Sequence, residues 1–155
     1  MFIKLATISE AALIHDVMIQ AFSVYRNEKP PSSALEETIQ FVSVALEKGE
    51  QAFIAFEEHK PVGIVRFQVK EDNLYFYRLA VIPTKQGQGI ATELLQSLEC
   101  YAKKKELTSI QCKVRVTVPR NIQLYSSIGY NVFHSEMISK PNGMTIDVVS
   151  MMKEL

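Results

Sequence analysis

The stretch that decides the fold is Val81-Ile-Pro-Thr-Lys-Gln-Gly-Gln-Gly-Ile-Ala-Thr-Glu-Leu-Leu95. Residues 74–81, which lead into it, are rich in aromatic and β-branched side chains and predict a strand. Apolar residues at helical spacing follow it, namely Ile90, Leu94, Leu98 and Ala102. Proline and two glycines separate the two patterns. The sequence therefore predicts a strand, a tight turn and a long amphipathic helix in immediate succession.

The turn has the properties of a phosphate-binding site. The first amides of a helix have no partners within the helix, and the helix dipole adds partial positive charge at that end. Gly87 and Gly89 allow the backbone to turn tightly and allow a bulky anion to approach these amides. We therefore expect the turn to bind a phosphate group.

Two common phosphate-binding motifs do not match. A Walker-type loop requires Lys followed by Ser or Thr after its last glycine, whereas Ile90 and Ala91 follow Gly89. A dinucleotide-binding motif requires Gly or Ala where this chain has Thr92, and an acidic residue about 20 positions later. The next predicted strand carries Lys113 and Arg115 instead. A small nucleotide-binding domain would therefore rest on the two glycines alone.

A third motif fits. Gln86-x-x-Gly89-x-Ala91 resembles the acyl-CoA motif of the GNAT superfamily of N-acetyltransferases, in which Gln or Arg is followed by Gly and then by Gly or Ala. Further along, Leu124-Tyr125-Ser-Ser-Ile-Gly129-Tyr130 resembles the Leu-Tyr-x-x-x-Gly-aromatic segment of the same family. The two motifs occur in the family's order and spacing. The resemblance covers residues 52–133 well and both ends of the chain loosely.

The order of predicted elements matches the fold that this resemblance implies. We expect an α/β (α+β) fold in which residues 1–155 form a single N-acetyltransferase domain. Its mixed, mostly antiparallel central sheet would have about six or seven strands flanked by helices. A helix crosses over between the strands at 74–81 and 110–116, so these two would be parallel. In the family this parallel pair is splayed at the acyl-CoA site.

The resemblance also implies a set of site residues. In the family a bulge in the central strand frees backbone groups at positions that match Leu79 and Val81, and these groups bind pantetheine as an added strand would. The turn and the helix start would bind the diphosphate, with Gln86 closing the turn. The residues expected to bind acetyl-CoA are Leu79, Ala80, Val81, Gln86, Gly87, Gln88, Gly89, Ile90, Ala91, Thr92 and Asn121.

Tyr125 matches the family tyrosine that protonates the departing thiolate of CoA. A phenol with a pKa near ~10 stays protonated at neutral pH and can supply that proton. Many family members have an asparagine seven residues before this tyrosine, where this chain has Val118. Asn121, one helical turn before Tyr125, is expected either to contact pantetheine or to cap the short helix after Pro119.

The general base and the acceptor site have weaker signals. Candidates for the base are Glu28, Asp72, His134, Glu136 or a bound water molecule. Arg66, Arg78 and Arg115 lie on neighbouring predicted strands and are expected either to bind an acidic group of the acceptor or to pair with local acids. The sequence predicts no metal site.

Composition narrows the functional classes. The chain has 155 residues with 17 basic and 17 acidic side chains, and this balance provides no general attraction to nucleic acid or anionic membranes. It contains no apolar run near the ~20 residues that span a bilayer. Cys100 and Cys112 lack metal-ligand spacing, so we expect reduced, buried thiols in a cytoplasmic protein. The final strand is expected to offer an edge through which a homodimer could form.

Two capping-box patterns mark helices before the sheet. Thr7-x-x-Glu10 precedes an apolar stripe at helical spacing, and Ser33-x-x-Glu36 precedes a second one. The segment between them, residues 26–33, is polar and contains two prolines. It is expected to be a connector or, as in the family, part of a lid over the acceptor site.

Two hypotheses about function follow. The first is an acetyl-CoA-dependent N-acetyltransferase that moves an acetyl group to a primary amine of an unidentified acceptor, by direct transfer in a ternary complex. The second is a catalytically weak or inactive acyl-CoA-binding module on the same fold, acting as a sensor or a partner subunit. Tyr125 favours the first hypothesis, whereas the absence of an evident base leaves the second open.

Overall fold

The computed structural model describes residues 1–23 and 33–155. One seven-stranded sheet runs through this part of the chain. Its strands are β1 (Phe2–Leu5), β2 (Gln51–Glu57), β3 (Lys60–Lys70), β4 (Asn73–Val81), β5 (Ser109–Arg115), β6 (Asn131–Ser139) and β7 (Thr145–Glu154). The strand order is β1-β2-β3-β4-β5-β7-β6, and only β4 and β5 pair in parallel. The predicted mixed, mostly antiparallel sheet is confirmed.

Helices cover both faces of the sheet. They are α1 (Ala11–Phe22), α2 (Ile39–Glu47), α3 (Ile90–Lys104) and α4 (Pro119–Ser127). Buried residues of α1 and α2, such as Met18 and Val42, pack in one apolar cluster with Ile54 and Ile64 of the sheet. Residues of α3 and α4 pack in a second cluster around Phe76. The sheet thus separates two cores, and β4 contributes to both.

The two predicted helix starts differ in outcome. The Thr7 amide donates to Glu10 Oε1 at 2.9 Å, and a short 3₁₀ turn over Ile8–Glu10 leads into α1, as the first capping pattern predicts. Ser33–Glu36 forms only a 3₁₀ turn, so the second predicted start is wrong. Helix α2 begins at Ile39 because the Thr38 hydroxyl accepts from the Phe41 amide at 3.0 Å and acts as the cap.

The start of α3 lies unusually close to the sheet. A Cβ atom added to Gly63 on β3 would lie 3.0 Å from Ile90 Cγ2 and 3.2 Å from Leu94 Cδ1. Only glycine at position 63 therefore leaves room for the first turn of α3 at this distance from β3. Packing at Gly63 thus fixes where the helix begins relative to β3.

The last strand is not an edge. Strand β7 lies between β5 and β6 and pairs antiparallel with both. The expectation that the final strand offers a free edge for a homodimer is therefore wrong. Among the described residues, the strands at the two ends of the sheet are β1 and β6.

Candidate active site

Strand β4 contains a bulge. On β3, Ile64 and Arg66 are two residues apart. Their partners on β4, Ala80 and Tyr77, are three residues apart, so β4 has one extra residue between these pairs. The extra residue falls at Arg78–Leu79, and Arg78 has a φ of 55°. A non-glycine residue rarely adopts such a left-handed conformation, which is typical of bulges and functional sites.

Strands β4 and β5 separate before the bulge. Their parallel pairing covers Asn73–Tyr75 on β4 and Ser109–Gln111 on β5 and then stops. Strand β5 continues in register with β7 as far as the pair of Arg115 with Val148. The second half of β4 therefore has β3 on one side and an opening on the side of β5.

Backbone groups of β4 point into this opening. The Ile82 amide donates to the Val62 carbonyl at 2.9 Å, which shows that Ile82 faces β3. Because consecutive residues of an antiparallel strand point their amides and carbonyls to opposite sides, those of Val81 and Leu79 face away from β3. The Val81 carbonyl already accepts from the Gln86 side-chain amide at 3.2 Å. Gln86 thus fastens the turn to the end of β4.

The glycine turn leads directly into α3. A 3₁₀ turn over Pro83–Lys85 follows β4, and Gly87 and Gly89 have φ values of 79° and 84°. These positive φ values favour glycine. A Cβ atom on either glycine would meet nothing within 4 Å, so the space beside the turn is open. The first amide bonded within the helix is that of Glu93, which donates to the Gly89 carbonyl at 3.1 Å. Amides before Glu93 therefore have no partner within the helix.

These features line a single cleft of about 580 Å³. The predicted cofactor-binding residues that line it are Leu79, Ala80, Val81, Gln86, Gly87, Gly89, Ile90, Ala91, Thr92 and Asn121. Gln88 is not part of the lining. The cleft runs from the bulge of β4 past the glycine turn to α4.

Tyr125 lies in the wall of the cleft and is 4% exposed. Its ring packs edge-on against Phe76 with centroids 5.6 Å apart and contacts Tyr130 at 5.8 Å. Its carbonyl accepts from the amides of Ile128 and Tyr130, which closes the end of α4 around Gly129. The ring is therefore held in place from both sides while it lines the cleft.

Asn121 does not cap α4. The cap position is Val118, and no side chain caps this helix. The Asn121 amide donates to the Val118 carbonyl at 3.2 Å, and the residue lines the cleft. The expectation that Asn121 caps α4 is therefore wrong, and its contact with pantetheine stays a prediction.

The described candidates for the general base lie outside the cleft. Asp72 is in the turn before β4, where its carbonyl accepts from the Thr108 amide. His134 and Glu136 are on β6, and Glu136 pairs with Lys113 at 3.0 Å. Hydrogen bonding to Lys113 lowers the pKa of Glu136 below its ordinary value. Glu28 lies outside the described residues.

The cleft lining is cationic. Among the described residues that line it, none carries a carboxylate, and the cationic side chains are those of Arg78, Lys85, Lys113, Arg115 and Arg120. Lys85 lies just before the glycine turn, and Arg120 lies in the first turn of α4. Arg78, Lys85 and Lys113 pair with Glu37, Glu57 and Glu136, none of which lines the cleft. A ligand in the cleft therefore meets cationic side chains but no described carboxylate, which suits phosphate groups.

A buried ion-pair network, whose acidic members sequence reasoning did not find, lies behind the cleft. It consists of Glu37, Glu50, Arg66, Tyr77 and Arg78. Arg66, 2% exposed, donates to Glu50 through Nε at 2.7 Å and Nη2 at 3.0 Å, and to Glu37 through Nη1 at 2.8 Å. Arg66 therefore pairs with local acids and does not reach the cleft. The Tyr77 hydroxyl also donates to Glu50.

The charges of this network are stabilised by their mutual contacts. Burial alone would lower the pKa of the Arg66 guanidinium, but hydrogen bonds with Glu50 and Glu37 outweigh it and raise that pKa above its ordinary value. Burial and the hydrogen bond to Glu50 raise the pKa of the Tyr77 phenol, which keeps it protonated as a donor. No buried side-chain nitrogen or oxygen of the described residues lacks a hydrogen-bond partner.

The two cysteines differ from each other. Cys112 is buried and lines the cleft, and burial raises the pKa of its thiol to about 12. Cys100 is exposed on α3, so the expectation that both thiols are buried is wrong for it. Within residues 1–23 and 33–155, no group of three or more His, Cys, Asp or Glu could hold a metal ion. No helix in that part of the chain is long and apolar enough to cross a membrane.

Solved structures show the same fold. The ribosomal-protein-S18-alanine N-acetyltransferase of Escherichia coli superposes with a TM-score of 0.81 at 19% identity, covering 99% of this chain and 92% of that one. A probable acetyltransferase of Staphylococcus epidermidis has a TM-score of 0.84 at 15% identity, covering 99% and 98%. The PaiA N-acetyltransferase of Thermoplasma acidophilum, in complex with coenzyme A, has a TM-score of 0.77 at 15% identity and full coverage of both chains.

Sequence comparison identifies the family. No curated protein sequence matches the chain. The model of the acetyltransferase (GNAT) family, however, matches residues 13–130, a span that includes the β4 bulge, the glycine turn and Tyr125. The chain therefore belongs to the GNAT family of acetyltransferases.

Proposed function

We propose that this chain transfers an acetyl group from acetyl-CoA to the primary amine of an acceptor, directly and in a ternary complex. The observation that carries the proposal is the cleft between β4 and β5, which joins unpaired strand backbone, a glycine turn at a helix start and a buried tyrosine. Residues 1–155 would act as one N-acetyltransferase domain. The acceptor is unidentified. The free thiols of Cys100 and Cys112 support a cytoplasmic location.

The cofactor-binding residues have complementary roles in this proposal. The amides at the start of α3, from Gly87 to Ala91, would bind the diphosphate, and Lys85 and Arg120 would add positive charge beside it. The backbone groups of Leu79 and Val81 that face the opening would pair with the amides of pantetheine. Each group lies along one continuous cleft, which supports the assignment.

Tyr125 would act as the general acid. Attack of the amine forms a C–N bond at the thioester carbonyl and breaks the C–S bond, so the sulfur leaves with an electron pair and requires a proton. The Tyr125 hydroxyl would donate that proton from the wall of the cleft. Since Cys112 keeps its proton at neutral pH, we do not assign it a covalent intermediate.

The amine must also lose a proton. Asp72, His134 and Glu136 do not line the cleft, so we propose Glu28 or a bound water molecule for this step. The absence of a carboxylate among the described lining residues is also the observation that favours the second candidate function, an acyl-CoA-binding module with little or no transfer. An amine panel with detection of released thiol discriminates between the two.

The first experiment is a thermal-shift titration with acetyl-CoA, CoA, NAD and ATP. A ligand at 100 times its Kd stabilises the folded state by about 2.7 kcal/mol, which corresponds to roughly 5–10 °C for a chain of this size. We expect this shift with acetyl-CoA and CoA and none with NAD or ATP. No shift with either CoA form would refute the proposal.

The glycines offer a matched pair of variants. Gly89 and Gly143 have the same φ of 84°, and a Cβ atom at either would meet nothing within 4 Å. Gly89→Ala and Gly143→Ala should therefore lose similar stability, because each forces a side chain into a left-handed conformation. Only Gly89→Ala should weaken CoA binding, since Gly143 is in the turn between β6 and β7. Equal CoA affinity of the two variants would contradict the placement of the diphosphate.

A further inference from the structure

Arg78 occupies a backbone conformation that needs support. Arg78 lies in the β4 bulge and has a φ of 55°, a left-handed value that is unfavourable for a residue with a side chain. Residues in such conformations persist only where the surrounding structure holds them, and they cluster at functional sites. The question is therefore which contacts hold Arg78.

Glu37 and Ser33 hold the Arg78 side chain. Arg78 Nε donates to Glu37 Oε2 at 2.8 Å, and Nη2 donates to Ser33 Oγ at 3.0 Å. The other oxygen of Glu37 accepts from Arg66 Nη1 at 2.8 Å. The Glu37 side chain is only 8% exposed, so its ion pairs are weakly screened by solvent. The carboxylate is thus fixed by the buried Arg66 and in turn fixes the bulge.

These contacts come from the face of the sheet that α1 and α2 cover, whereas α3, which follows the glycine turn, packs in the other core. Ser33 and Glu37 belong to the segment that leads into α2, and His15 of α1 hydrogen-bonds the Glu37 carbonyl at 2.9 Å. The bulge, in contrast, sets the direction in which Leu79 and Val81 present their backbone groups to the cleft. One side chain therefore connects the α1–α2 side of the protein to the strand that would bind pantetheine.

We propose that Glu37 is a positioning residue which, through Arg78, keeps the β4 bulge in the shape that acetyl-CoA binding requires. This inference rests on the proposed function. Glu37 does not line the cleft and has no role in the chemical step. Its effect should therefore be on binding of the cofactor and not on turnover.

The principal variant is Glu37→Gln. Glutamine has the same size, but its amide nitrogen cannot accept a hydrogen bond from a guanidinium, so residue 37 loses its charge and one of its two bonds to Arg66 and Arg78. We expect the Kd for CoA, measured by calorimetry, and the KM for acetyl-CoA each to rise by about tenfold. This is the scale of the free energy of one strained residue. The kcat at saturating acetyl-CoA should stay within about twofold. The matched control is Glu10→Gln, which breaks the pairing with Lys4 away from the cleft. It should leave the CoA affinity and the KM for acetyl-CoA unchanged.

Substitutions of Arg78 test the route. Glycine adopts a φ of 55° without strain, whereas valine does not. Both remove the guanidinium, so a difference between Arg78→Gly and Arg78→Val reports the cost of placing a side chain at this φ. We expect valine to bind CoA about tenfold more weakly than glycine. In the Arg78→Gly background, Glu37→Gln should change affinity by less than about twofold. A full tenfold loss in that background would overturn the proposal.

Hydrogen exchange without ligand separates this inference from the proposed function. The Ile82 amide reports the end of the bulged strand, and the Lys140 amide, bonded to the Met144 carbonyl at 2.8 Å, reports the turn between β6 and β7, which has no contact with the described residues of the network. Glu37→Gln should accelerate exchange about tenfold at Ile82 but not at Lys140. Unchanged exchange at Ile82, or equal acceleration at both, would overturn the inference. Local acceleration in a protein that does not bind CoA would support the role of Glu37 in the bulge and refute the proposed function.

Discussion

Replacing Tyr125 with phenylalanine isolates one hydroxyl group in the wall of the cleft. The ring packs against Phe76 at 5.6 Å and Tyr130 at 5.8 Å, and phenylalanine keeps both contacts. The change in the free energy of unfolding should therefore stay near the ~1 kcal/mol of one hydrogen bond. CoA affinity should also be nearly unchanged, since the diphosphate and pantetheine sites involve other residues.

The rate of acetyl transfer should fall much further. A positioned general acid contributes about 10²–10⁴-fold, which is about 2.7–5.4 kcal/mol of transition-state stabilisation. The measurement is the single-turnover rate of thiol release with the enzyme in saturating excess over acetyl-CoA and with saturating amine, which excludes slow product release as the limiting step. The loss should be smaller with a thioester whose thiol is more acidic, because a better leaving group needs less help from a proton donor.

Tyr130 provides the matched control. It is 3% exposed and contacts the same Phe76 ring, but it does not line the cleft. Tyr130→Phe removes an equally buried hydroxyl and should leave the transfer rate within a few-fold of the original. An unchanged rate in Tyr125→Phe would remove this residue from the mechanism. An equal loss in both variants would assign the effect to packing around Phe76 and refute the reasoning from the cleft.

Two further predictions follow from packing and burial. Gly63→Ala should lower the free energy of unfolding, measured in urea, by about 1–2 kcal/mol and should weaken CoA binding. The reason is that the added Cβ would lie 3.0 Å from Ile90 Cγ2 at the start of α3. Unchanged stability would show that the helix moves without cost. Because burial raises the pKa of Cys112 to about 12, the folded state retains a proton that the unfolded chain loses above about pH 8.5. The free energy of unfolding should therefore fall between about pH 8.5 and pH 12, and it should fall less in Cys112→Ala. In the native protein a thiol reagent should modify Cys100 quickly and Cys112 only on unfolding; rapid reaction of both would contradict this burial.

Local patterns predicted the centre of the fold. The strand at 74–81, the glycine turn and α3 each depend on residues close in sequence, and the alternation of apolar residues around Cys112 predicted β5. The parallel pairing of β4 with β5 followed from the helix that crosses between them. The predicted start of α2 was wrong because Ser33 and Thr38 are both residues that favour the cap position, and the helix begins after Thr38.

The buried ion-pair network could not be predicted in the same way. Arg66 alternates with apolar residues on β3, a pattern that predicts a polar, solvated face, but α1 and α2 cover that face. Its partners Glu50 and Glu37 are 16 and 29 residues away in the sequence, and no short motif joins them. The pairing depends on the packing of α2 against the sheet, which becomes known only with the fold. The exposure of Cys100, in contrast, follows from local spacing, because a residue two positions from both Leu98 and Ala102 faces away from the apolar stripe of α3.

The interior position of β7 has a consequence for how the protein folds. Strand β6 pairs with no described strand other than β7, and β5 has β7 as its partner wherever β4 has separated from it. Thr145–Glu154 is synthesised after every other strand of this sheet, so the half beyond β4 cannot form on the ribosome until these residues emerge. Until then β5 and β6 expose unpaired backbone, which is a site for misassociation. The first half, from β1 to β4 with α1 to α3, contains the whole core between α1, α2 and the sheet, whereas the core around Phe76 is completed only by later residues such as Tyr125 and Met151.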